Sequence, residues 1–82
     1  MGRTVPTYRY TVESIIDAWR NFRRALRPEE REAFDSMMQH AREHAAAGSA
    51  CAAHDPVEAV LLSILLEHER EISALKEELR KR

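Results

Sequence analysis

Residues 56–80, PVEAVLLSILLEHEREISALKEELR, contain no glycine and no proline after the opening Pro56. Asp55 precedes them as an N-cap, Pro56 occupies the first helical position, and Glu58 stands at the third, an Asp version of the capping box. The pattern predicts one uninterrupted helix, ~38 Å long at 1.5 Å per residue. Its first half, VEAVLLSILL, is apolar almost all round, the mark of a helix covered on more than one side. Its second half narrows to Leu61, Leu65, His68, Ile72, Leu75 and Leu79, spaced alternately by four and three. That is the a/d seam of a short coiled coil. With Leu65, Ile72 and Leu79 at a, Glu71 falls at g, and Glu69 and Lys76 at e. A parallel pair matches Glu71 with Lys76 of a second copy; an antiparallel pair matches Glu69 with Lys76. Exposed pairs contribute only ~0.3–0.5 kcal/mol each, so the charges leave the direction open.

The rest of the chain is too short to cover such a rod. Eighty-two residues make a single domain near the size where one core is marginal. One cysteine cannot pair within its own chain, so oligomerisation is the stabiliser to expect. The prediction is a homodimer, with a higher oligomer as the variant. His68 then stands at a d position as a polar break that helps fix register, much as a buried Asn does.

Two further helices are predicted. Thr11 is the expected N-cap of the first, residues 11–26, with Val12, Ile15, Trp19, Phe22 and Leu26 on one stripe. Pro28 closes it and opens the second, residues 28–47, with Glu29, Glu30 and Glu32 in its first turns. Phe34, Met37, Met38, Ala41 and Ala45 form its inner face, and Gly48 is its expected C-terminal glycine. So tight a link makes the pair an antiparallel hairpin. Residues 1–10 read as an extended arm that Tyr8 and Tyr10 can dock. Period-2 strand patterns are missing. The fold class is all-α: an arm, a single helical domain over 11–82, and a dimeric bundle or short coiled coil.

The net charge of −1 conceals a division. Residues 1–27 hold six arginines against two acidic residues, and residues 28–82 hold seven basic against twelve acidic ones. A basic head on an acidic body packs readily on itself. It also offers a nucleic-acid reading, in which Arg3, Arg9, Arg20, Arg23, Arg24 and Arg27 engage phosphates and the arm's tyrosines stack on bases.

Chemistry-bearing residues concentrate in HAREHAAAGSACAAHD, residues 40–55. His40 and His44 lie one turn apart on one flank of the second helix, and Cys51 and His54 follow at C-x-x-H spacing. Four nitrogen and sulfur donors suit tetrahedral zinc, so a small zinc-binding protein is the second alternative. The bland reading makes His54 the residue before a cap, His40 the edge of the apolar stripe and Cys51 a small apolar filler. A Cys51–His54 dyad lacks an orienting third group, an oxyanion hole and a pocket, and no glycine-rich phosphate loop is present. No enzyme and no cofactor are expected.

MGRTVPTYRY lacks the apolar core of a signal peptide, and AVLLSILL, at 59–66, is far below the ~20 residues of a membrane span. A cytoplasmic protein with no membrane contact is the expectation. The segments MGRTVPTYR, FRRAL, HAREHA and HDP together resemble a family of small archaeal proteins of uncharacterised function. The resemblance implies a stand-alone protein of an archaeal cytoplasm and carries over no activity or ligand. The functional expectation is therefore a non-catalytic, self-associating module that works as an adaptor or regulator, with a further protein partner possible.

Overall fold

A computed structural model of the chain describes residues 7–52 and 55–82. Among these the structure is all-α, with helices α1 (Tyr8–Ala18), α2 (Arg20–Arg24), α3 (Pro28–Glu43), α4 (Ala45–Ser49) and α5 (Pro56–Arg80). Residues 1–6 of the expected arm, Arg3 among them, and His54 of the zinc reading lie outside the described residues.

The first helix starts earlier than Thr11. Thr7 is the N-cap, its side chain accepting from Tyr10 N at 3.2 Å, and its carbonyl accepts from Thr11 N at 3.0 Å. Two threonines four residues apart were both eligible caps. The earlier one adds a turn that brings Tyr8 onto Gly48, and so residues 8–10 are helix rather than arm.

Both long helices predicted for the first half are broken once. At Trp19 the N–H is shared between Ile15 O (3.2 Å) and Ile16 O (3.1 Å), a local tightening that separates α1 from α2. Phe22 falls out of register with the core as a result: it is 61% exposed, its ring tilted against Phe34 at 5.8 Å between centroids. The second break, at His44, redirects the chain so that Ala45 and Gly48 of α4 are buried. Gly48 is thus inside a helix and not its terminal glycine. A β-carbon there would stand 2.7–2.9 Å from the Tyr8 ring, which is the physical reason for glycine at this position.

Between α2 and α3, Arg31 donates to the carbonyls of Arg23 (3.3 Å) and Arg24 (3.0 Å), capping α2 from outside. Glu30 accepts from Arg27 N at 2.9 Å and caps the start of α3. Val12, Phe34, Met38, Ala41, Val60 and Ile64 form the buried core, bordered by Tyr8, Ile15, Ile16, Trp19, Leu26 and Met37. Two bidentate ion pairs fasten its rim: Arg42 to Glu13 (2.7 and 3.1 Å) and Arg23 to Asp35 (2.8 and 2.9 Å). Asp55 caps α5, accepting from Val57 N at 3.0 Å.

Candidate functional site

The polar cluster of this fold is built by α3 and α5 together. His40 projects from the last turn of α3 and His44 stands at its C-cap, while Glu67 and Glu71 lie one turn apart on α5. Nε2 of His44 lies 2.9 Å from Glu67 Oε1, and because an ionised carboxylate only accepts, the imidazole carries the proton on Nε2. Arg70 Nη1 donates to the same oxygen at 3.1 Å. The His44 hydrogen bond, followed by the neighbouring Arg70 and His40, holds the Glu67 carboxyl below its ordinary range against the opposing effect of burial.

His40 is placed differently. Its side chain is only 15% exposed, yet neither ring nitrogen makes a hydrogen bond among the described residues. Nε2 faces Glu71 Oε2 at 3.5 Å, and the solvent-inaccessible Nδ1 faces Glu43 Oε1 at 3.5 Å. Donor atoms of His40, Glu67 and Glu71 all fall within 4.8 Å of one another. The ring of His68 stands edge-on to His40, 6.0 Å between centroids. His68, a residue of the predicted seam, is half-buried in the single chain.

Of the ligand set predicted from residues 40–55, only His40 falls in a metal-ligating group among the described residues, and His54 lies outside them. The Cys51 thiol is turned toward Gly48 O at 3.5 Å and joins no metal-ligating group of three among the described residues. Glu67 and Glu71 of α5 are the residues grouped with His40. The signal that could have found them is a second pair at the same spacing, E-x3-E at 67–71 beside H-x3-H at 40–44.

The remaining candidates divide. Leu61, Leu65, Ile72, Leu75 and Leu79 stand exposed on α5, from 46% at Leu61 to 67% at Leu79. They lie roughly 100° round the helix from the core-facing line of Val60, Glu67 and Glu71. Leu61 also borders an apolar groove of ≈ 280 Å³ shared with Trp19, Phe22, Phe34, Met37, Met38 and Ile64. Of the arginines, Arg23 is held by Asp35, Arg20 by Asp17 at 2.9 Å, and Arg24 meets Asn21 at 3.3 Å. Arg9 and Arg27 are exposed. Carboxylates of the chain itself therefore occupy part of the basic head.

These features define a small all-α protein with an unpartnered apolar helix face and a histidine–carboxylate junction. The model of the family described as Domain of unknown function (DUF8156) matches residues 1–82, and the chain belongs to that family. No curated protein and no solved structure matches it. Among the described residues no helix is long and apolar enough to cross a membrane.

Proposed function

We propose that the protein is a non-catalytic module that self-associates through α5 and serves as an adaptor or regulatory element, in the setting that its opening residues suggest, an archaeal cytoplasm. The single observation that carries this reading is the row Leu61, Leu65, Ile72, Leu75 and Leu79, exposed along a helix whose other side already serves the core. A second copy is the occupant that fits. The row repeats at coiled-coil spacing, its flanking Glu71, Glu69 and Lys76 are complementary to themselves, and Leu61 makes it continuous with the apolar groove beside Phe22. Burying a half-exposed Leu or Ile contributes on the order of 1 kcal/mol. Five from each of two chains add up to a contribution comparable with the cost of association.

Sedimentation velocity tests the reading. At micromolar concentration the wild-type chain sediments as a dimer, and Leu65→Glu combined with Leu75→Glu, which sets like charges across the seam, gives a helical monomer. A wild-type monomer, or a dimer indifferent to both substitutions, rules out the seam as the interface.

A further inference from the structure

We propose that the junction of α3 and α5 binds one divalent first-row transition-metal ion per chain, zinc by preference, through His40 Nε2 and the carboxylates of Glu67 and Glu71. The site does not depend on the dimer.

Distance is the first support. Zinc bonds to nitrogen and oxygen are about 2.0–2.2 Å, so two ligand atoms on a tetrahedral ion stand roughly 3.3–3.6 Å apart. His40 Nε2 and Glu71 Oε2 already stand 3.5 Å apart, too far for a good hydrogen bond and right for two ligands of one ion. The third ligand, a Glu67 carboxylate oxygen, lies within the 4.8 Å that spans the group. The half-exposed Glu71 side chain is able to rotate and draw the three ligand atoms together.

The unsatisfied imidazole is the second. A ring this deeply placed ordinarily bonds through at least one nitrogen, whereas buried Nδ1 has no partner and Nε2, turned toward Glu71, makes no hydrogen bond to the described residues. With an ion on Nε2 the proton resides on Nδ1, and Glu43 Oε1, 3.5 Å away, is the carboxylate that a small side-chain rotation would make its outer partner. Glu67 is supported in the same way. His44 and Arg70 both bond to Oε1, while Oε2 carries no hydrogen bond among the described residues.

Charge agrees with distance. Glu67 and Glu71 are like charges one helical turn apart, an arrangement that costs stability on its own and that a cation relieves. Arg70 offsets part of that repulsion from the solvent side. One nitrogen and two oxygens suit the borderline ions of the first transition row, whereas calcium and magnesium prefer oxygen alone. Three protein ligands leave a position for solvent on the exposed Glu71 side.

The test is a titration of the metal-stripped full chain with Co²⁺ at pH 7.5, followed by visible absorption, with Zn²⁺ used to displace it. One equivalent binds, Zn²⁺ displaces it, and the melting temperature rises with bound ion. Glu71→Gln, at a half-exposed position that leaves helicity by circular dichroism unchanged, weakens binding at least about tenfold, and His40→Gln abolishes it. His44→Gln weakens it by about 10- to 100-fold, as loss of an outer-shell partner does. Cys51→Ser leaves it unchanged. Absence of saturable binding, binding indifferent to Glu71→Gln, or loss of the cobalt spectrum in Cys51→Ser would each overturn the assignment.

Discussion

The phenol of Tyr8 lies across Gly48, with its oxygen 2.7 Å from where a β-carbon on residue 48 would be. The contact joins the first turn of α1 to α4, and the ring and the missing β-carbon are matched to each other. Gly48→Ala forces the ring outward, and overpacking of this kind costs about 1–3 kcal/mol, more than the ~1 kcal/mol that alanine gains over glycine in a helix. In a Tyr8→Ala background only the helix term survives, so the same substitution stabilises. Urea denaturation of the four variants measures the reversal of sign; two effects of equal sign would show that the ring does not rest on Gly48.

Tyr8 carries a second consequence. Its hydroxyl is buried without a hydrogen-bond partner among the described residues, and burial, with Cys51 nearby, pushes its pKa up. Tyr8→Phe removes an uncompensated polar atom and keeps the ring. It should be neutral or stabilising by up to about 1 kcal/mol in thermal denaturation. A loss of more than that amount would reveal a partner for the hydroxyl.

Acid should loosen the rim in a defined way. The carboxyls of Glu13, Asp35 and Glu67 are held down by hydrogen bonds from Arg42, Arg23 and His44 respectively. A depressed folded-state pKa means stability present in full above the unfolded value and lost as pH falls through the folded one. For Glu67, faced by His44, His40, Arg70 and Glu71, the contribution is in place above its ordinary value of 4.5 and disappears below it. Glu67→Gln should therefore melt lower than wild type at pH 6, with the gap closing towards pH 3. A gap independent of pH would mean that the carboxylate charge contributes nothing. Salt should narrow the parallel gaps at the exposed Glu13 and Asp35.

The far half of α5 offers a kinetic readout. Beyond Glu71, residues such as Leu75 and Leu79 are exposed and have no covering element, so opening of these turns costs little in an isolated chain. Amide exchange at 73–80 should slow as protein concentration rises, while exchange around Val60 and Ile64 does not change. Concentration-independent exchange throughout would place the self-association surface elsewhere.

The all-α class was legible because the helix signals of this chain are strong and local. Asp55–Pro56 announces α5, and Pro28 announces α3, through donors that are satisfied or missing within one turn. The breaks at Trp19 and His44 were not legible, since Trp-Arg-Asn and His-Ala-Ala carry no residue that ends a helix. They arise from tertiary packing, which redirects α4 to where Ala45 and Gly48 are buried. The candidate site shows the same division. His40 and His44 were visible as a pair, but proximity in sequence favoured Cys51 and His54 as their companions. Glu67 and Glu71 are more than twenty residues away and come within reach only when α5 packs on α3.

The clasp between α2 and α3 bears on the order in which the polypeptide assembles. Arg31 reaches carbonyls seven and eight residues behind it, and Arg23 meets Asp35 across twelve. Such short loops close quickly and at small entropic cost, long before contacts of greater span. On a ribosome this corner can therefore form while the residues of the last rod are still being added. The rod then emerges onto a prepared surface, and its oily outer flank requires shelter only after the corner has closed.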